Sequence, residues 1–178
     1  MAAQATVADR PTKQEETAPL TREDQANRII RQNVVWAIGG GVLPFPIFDM
    51  VAITVIELKM LKELGDLYEV PFKEDQVKSI LVSLVTGLGA PTLGLAATLS
   101  VFKAAPVVGY VSAVLSVPVL AAAFTYAVGK IFLQHFASGG TFLDFDPGKV
   151  RDHFRREFEE GKLVAAKAKS EAATQKAG

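Results

Sequence analysis

Two long stretches of this chain carry almost no charge, and they restrict its fold more than any other feature. Residues 34–56 contain one charged side chain, Asp49, and residues 79–129 contain one, Lys103. Those 74 residues hold two charges, and the other 104 hold 36. So many consecutive apolar residues must leave water, either into a protein core or into a bilayer. Residues 79–102 make an uncharged run of 24, and residues 104–129 one of 26. A spanning helix needs roughly 20 mostly apolar residues. Lys103 between the runs suits the headgroup level, and Pro106 suits the first turn of a new helix. The pattern predicts a helical hairpin over 79–102 and 104–129, with Lys78 and Lys130 at the opposite surface. Pro91 and Pro118 should kink it.

Small residues recur along both runs. Ser83, Gly87, Ala90, Gly94 and Ala97 share one helical face, and Gly109, Ala113, Ser116, Ala123 and Ala127 nearly share another. Small faces let helix backbones approach closely. They predict packing inside the hairpin, with homo-oligomerisation as the other use. A soluble bundle would need amphipathic helices to cover both runs. Residues 47–68 and 147–160 supply only two, too few for a monomer.

The first uncharged stretch is interrupted by Gly39, Gly40 and Gly41 and by Pro44-Phe45-Pro46. These residues disfavour one continuous helix. A short helix over 33–38, a break, and a second helix from Ile47 to Tyr68 fit better. Whether 33–56 spans, re-enters or lies on a membrane stays open. In the second helix Ile47, Met50, Val51, Thr54, Leu58, Leu61, Leu64 and Tyr68 follow the helical period. Glu57, Lys59, Lys62, Glu63 and Asp66 are placed on its polar side. Asp49 is the one acid in an apolar setting. It reads as a helix-start carboxylate after the proline break, or as a proton or cation site.

The flanks are polar. Residues 1–20 are expected to be a disordered arm. No apolar run follows Met1, so no cleavable signal is expected and the N-terminus should stay cytoplasmic. Thr21 with Asp24 resembles a capping box, and Arg28 and Arg31 suit a membrane-entry flank. Asp146-Pro147 predicts a helix start, Gly161 its stop, and 161–178 a flexible tail. Val150, Phe154 and Phe158 form an apolar stripe flanked by Arg151, Arg155 and Arg156, which suits a partner protein or anionic headgroups. The helical membrane domain is thus placed at 21–160.

Several chemistries lack their residues. With 19 basic and 19 acidic side chains the net charge is zero, which disfavours nucleic acid as a partner. Cysteine is absent, and His135 and His153 have no motif linking them. The three Gly-Lys pairs lack the Ser or Thr that holds Mg²⁺, and no nucleophile elbow or His-Glu-x-x-His occurs. No catalytic residue, metal or cofactor is expected.

The segment from Pro44-Phe45-Pro46-Ile47-Phe48-Asp49-Met50-Val51-Ala52-Ile53-Thr54 through Glu57-Leu58-Lys59-Met60-Leu61 to Leu67-Tyr68 resembles a bacterial family of unknown function described as YcjF-like. Lys103-Ala104-Ala105-Pro106-Val107-Val108-Gly109 and Gly139-Gly140-Thr141 fit it too. The resemblance covers roughly residues 30–160. It implies a helical, membrane-associated domain found with Era-type GTPases, and it carries over no catalytic residues. No GTPase domain is present in this chain, so such a partner would act in trans.

The expectation is an all-α, membrane-associated helical hairpin plus amphipathic helices. It would act as a non-enzymatic adaptor or scaffold of the bacterial cytoplasmic membrane, with both termini cytoplasmic. Its partners would be the lipid bilayer and a GTPase or other cytoplasmic protein. Pro44, Pro46, Asp49, Arg151, Arg155 and Arg156 are the candidate interaction residues. A small transporter or channel and a soluble α-helical oligomer are the alternatives.

Overall fold

A computed structural model describes residues 19–40, 46–87 and 106–177. Among them are five helices and no strand: α1 (Arg22–Gly40), α2 (Pro46–Tyr68), α3 (Glu74–Gly87), α4 (Pro106–Ala137) and α5 (Arg151–Ala177). Residues 1–18 of the expected arm at 1–20, Pro44, and the proposed hairpin turn around Lys103 lie outside the described residues.

Local chemistry fixes most helix ends. Thr21 Oγ1 accepts from the Asp24 amide at 3.1 Å, while the Thr21 amide donates to Asp24 Oδ2 at 3.2 Å. This reciprocal capping box satisfies two amides that have no partner inside the helix. Once started, α1 does not pause before residue 33. Ala26, Ile30, Val34 and Ala37 form one buried stripe along it, and burial of a continuous face outweighs the weak local signals. The expected separate helix over 33–38 is therefore the second half of α1.

Helices α2 and α4 open on Pro46 and Pro106, where a proline costs no helical hydrogen bond. Helix α2 closes with Val70 N–H on the Gly65 carbonyl at 2.8 Å and Glu69 N–H on Asp66 at 3.4 Å. Glu69 stands there at φ 61°, in the left-handed conformation that such a cap requires. Helix α4 closes the same way with Gly139 at φ 87°. It does not stop near Gly129 but runs to Ala137, so Lys130 lies inside it.

The expected helix at 147–160 is shifted and longer. Asp146 Oδ1 accepts from Gly148 N–H at 2.9 Å and caps a turn, after which α5 starts at Arg151. It then passes through Gly161, the expected stop, and reaches Ala177. Gly161 has a different job. A Cβ there would lie 2.8 Å from the Ala123 carbonyl oxygen and 3.0 Å from Ala123 Cα. The missing side chain lets α5 lie backbone to backbone on α4.

Helix α4 is the central element, packed most extensively on α5 and α1 and less on α2. Its buried small residues Ala122, Ala123 and Ala127 thus serve intramolecular packing. Among the described residues Ala123 lies against Gly161 of α5, while residues 88–102 of the expected hairpin lie outside the described residues. Ser83, on the small face of α3, is exposed. At the C-terminal end of α4 the chain folds back in an aromatic cluster. Phe132 stacks on Phe145 at 4.4 Å, and Phe142 meets Phe136 at 5.0 Å and Phe72 at 5.9 Å. Gln76 Nε2 donates to the Phe142 carbonyl at 2.9 Å, tying the start of α3 to this end.

Two substitutions should move stability in opposite directions. Gly161→Ala puts a methyl group against the α4 backbone and should cost about 1–3 kcal/mol. Glu69→Gly relieves a left-handed non-glycine and should add about 1 kcal/mol. Thermal unfolding followed by circular dichroism reads both, and equal melting temperatures for Gly161→Ala and wild type would refute the close-approach account.

Candidate functional site: a charge boundary across the bundle

Cross-helix contacts define how the helices run. Arg22 lies 3.7 Å from Glu69 and over the Tyr68 ring, while Asn33 meets Lys59 and Glu63. Helices α1 and α2 are therefore antiparallel. Glu57 meets Thr125 and Tyr68 meets Phe136, so α2 and α4 are parallel. Helix α3 starts at the aromatic end and runs back from it, burying Val77, Ile80, Leu81 and Leu84.

This topology sorts the charges. In α1 they end at Arg31; in α2, apart from Asp49, they begin at Glu57; in α3 they end at Lys78; in α4 they begin at Lys130. All four uncharged halves point away from the aromatic end. Of the eight large apolar side chains exposed among the described residues, five lie on those halves, Val35, Trp36, Val55, Val82 and Val85, and the others are Leu20, Leu143 and Leu163. Trp36, the only tryptophan, is 66% exposed. Nothing in the sequence pattern singled it out, although it lies two turns beyond Arg28 on the same face.

Residues 118–137 are the one described segment long and apolar enough to cross a membrane by length and composition. More than half of that segment is covered by the protein's own helices. The stretch expected as a spanning arm is thus, in its second half, the core helix of the bundle.

Polar side chains stitch the level just on the charged side of the boundary. Buried Asn33 donates to the Ile29 carbonyl at 2.9 Å and to Glu63 Oε2 at 3.1 Å, and Lys59 reaches Glu63 at 2.8 Å. Lys130 Nζ donates to Asn27 Oδ1 at 3.3 Å, and Tyr126 Oη donates to Glu160 Oε1 at 2.8 Å.

Glu57 is the chemical exception. The sequence places it on the polar side of α2, but it is 1% exposed. It shares the buried stripe of Met60, Leu61 and Leu64, which is turned toward α4. Burial pushes its carboxyl up to about 8, against a smaller opposing effect of the Thr125 hydroxyl. Thr125 Oγ1 lies 2.6 Å from Glu57 Oε1 and 3.2 Å from the Ala121 carbonyl. One hydroxyl hydrogen cannot serve both oxygens in linear bonds. A protonated Glu57 donates to Thr125 and leaves the threonine hydrogen for Ala121, so the neutral acid satisfies both contacts. Glu57 Oε2 has no hydrogen-bond partner among the described residues, which a neutral carbonyl-type oxygen tolerates better than a carboxylate.

The other candidate residues are spread out. Pro46 opens α2 and Asp49 follows in its first turn, at the uncharged end. Arg151, Arg155 and Arg156 are exposed on α5; Arg151 and Arg155 flank Phe154 and Phe158, and Arg156 lies on the opposite side of the helix. Those two phenylalanines are buried in the core, so the apolar stripe is already occupied and only the polar face of α5 is free. Arg155 lies 3.5 Å from Asp152, and Arg156 Nη2 donates to His153 Nδ1 at 3.1 Å. His135 Nε2 lies 2.8 Å from the Thr141 carbonyl and serves the loop that closes the aromatic end. Among the described residues no three His, Asp or Glu side chains gather as a metal-ligand group.

The fold and its boundary define an all-α bundle with one uncharged end. The chain matches the family described as a domain of unknown function, DUF697, over residues 9–162, and it belongs to that family. A relative from Magnetospirillum gryphiswaldense, "Magnetosome membrane protein 22", is 36% identical over 149 residues, covering 84% of this chain and 76% of the relative. No solved structure matches.

Glu57 should leave a signature in stability. Its folded pKa lies above the unfolded value of 4.5. The folded state therefore holds a proton that the unfolded state releases, and stability falls as pH rises from 4.5 toward 8. The slope should approach about 1.4 kcal/mol per pH unit within that window and flatten above it. Glu57→Gln should remove the slope. Melting curves at stepped pH check this, and equal slopes for both proteins would show that Glu57 does not titrate in that window.

Proposed function

We propose that this protein is a non-enzymatic membrane anchor that holds a cytoplasmic partner at the bilayer. The observation that carries this reading is the collection of four uncharged helix halves, with exposed Trp36 and valines, at one end of the bundle. Such an end in water would be an aggregation liability, whereas in a bilayer it is solvated. The printed name of the Magnetospirillum relative, a magnetosome membrane protein, supports the same reading. The proposed location is the bacterial cytoplasmic membrane, with both termini on the cytoplasmic side.

The partner would meet the charged end or the exposed face of α5. Arg151, Arg155 and Arg156 are the residues proposed to recruit it. A GTPase acting in trans is the partner class that the family resemblance supports. Neither catalytic nor cofactor chemistry is needed for this role.

A second reading draws on one observation. A buried neutral acid between α2 and α4, beside uncharged segments, is chemistry that proton-coupled transport uses. Proton flux into vesicles that disappears with Glu57→Gln or Asp49→Asn would put transport ahead of anchoring.

Carbonate-washed membranes and protease protection of terminal tags test the anchor. Retention in the pellet with both tags on the cytoplasmic side is expected, and release into the supernatant would defeat the proposal. Changing Arg151, Arg155 and Arg156 together to Glu should abolish partner pull-down while leaving membrane retention intact. Unchanged pull-down would remove the arginine face from the account.

A further inference from the structure

The exposed face of α1 carries a graded series. Arg28, Arg31, Gln32, Val35, Trp36 and Gly39 are all exposed, at spacings that place them along one side of the helix. The opposite side, Ala26, Ile30, Val34 and Ala37, is buried in the core. The face is thus basic on the charged side of the boundary and aromatic on the uncharged side. A rise of 1.5 Å per residue puts Trp36 about 12 Å from Arg28 and about 7–8 Å from Arg31 along the helix axis.

The two arginines are not neutralised as their neighbours are. Lys59 pairs with Glu63, Lys62 with Asp66 and Lys78 with Glu74, all within 2.8 Å. Among the described residues neither Arg28 nor Arg31 has an ion pair. Arg31 lies within electrostatic reach of Tyr126, whose hydroxyl donates to Glu160. This positive pair, without a direct ion pair among the described residues, stands beside a large exposed indole.

We infer that this face of α1 seats on an anionic lipid surface, with the Arg28 and Arg31 guanidinium groups on headgroup phosphates and the Trp36 ring at the headgroup–acyl boundary. This rests on the membrane reading above and deepens it by naming the face and the lipid charge. The occupant follows from complementarity along the helix. Guanidinium groups bind phosphate oxygens, and indole rings settle where an apolar body and a wet edge are both accommodated. The axial spacing matches a headgroup layer followed by the start of the acyl region. A second protein copy would satisfy the indole, but its own Arg28 and Arg31 would add like charge to the contact.

Because Trp36 is the only tryptophan, the intact protein reports on itself. The full chain is reconstituted into phosphatidylcholine vesicles with and without phosphatidylglycerol. Some of the vesicles contain lipids brominated near the headgroup end of the acyl chain, others lipids brominated near its terminus. Flotation scores membrane association separately from indole position. The expected result is flotation, blue-shifted emission, and stronger quenching by the shallow bromines, greatest in anionic vesicles. Arg28→Gln and Arg31→Gln should each lower the ratio of seated to lifted face roughly fivefold in anionic vesicles, with little effect in neutral ones. Flotation with water-exposed, unquenched emission overturns the inference and leaves the membrane reading standing. Stronger deep quenching overturns it in favour of α1 crossing the bilayer. Equal quenching with and without anionic lipid in wild type overturns the phosphate contact without recourse to any variant. A concentration-dependent blue shift in the absence of lipid makes the occupant a second copy. Failure to float defeats both readings.

Discussion

Helix α4 imposes the condition that the other helices meet. It is 32 residues long, about 48 Å, and from Pro106 to Gly129 it carries no charge. Water cannot be its surroundings over that length. Its second half is covered by α1 and α5, and close covering is possible because the residues at the contacts are small. Gly161 admits α5 to the Ala123 backbone. On the other flank a Cβ at Gly129 would lie 2.7 Å from Ile30 Cγ1, so the Ile30 side chain of α1 packs directly on the α4 backbone. Dispersion contacts fall off steeply with distance, and approach at this range makes a helix of alanines a sufficient core. Toward the N-terminal end of α4 the helices α1, α2 and α3 also run out of charge.

Much of this was legible in the sequence. Uncharged runs, the capping box at Thr21 and the helix-starting prolines Pro46 and Pro106 follow from local chemistry and reappear in the structure. What the chain could not display is which end meets which. The uncharged halves of α1 and α2 are joined through the glycine and proline break, but α3 and α4 reach the same end only because of how they pack. Gly161 reads as a stop because a glycine after a charged helical run ends many helices. Only the position of Ala123 across the contact shows its use.

Glu57 is a case where the period held the answer and residue type concealed it. At 100° per residue it falls between Leu61 and Leu64 on the helical wheel and far from Lys59, Lys62 and Asp66. Reading it as one of five charges on a polar face let identity override position. Asp49 is the acid alone in an apolar run, whereas the most deeply buried acid among the described residues is Glu57, beside Met60 and Leu61. A carboxyl can occupy such a site when it is neutral, and Thr125 supplies the acceptor that the neutral form needs.

One turn of α4 ties these features together. Ala123 bears on Gly161 and Tyr126 on Glu160, both on α5, while Thr125 between them reaches Glu57 on α2. Helices α2 and α5 therefore read the position of the same four residues from two sides. At a backbone-to-backbone contact there is no side-chain slack to absorb a shift, because packed interfaces move between discrete arrangements rather than deforming smoothly. Whatever repositions the uncharged half of α4 must carry α5 with it or break that contact. The arginines on the outer face of α5 are then mechanically joined to the apolar end of the molecule.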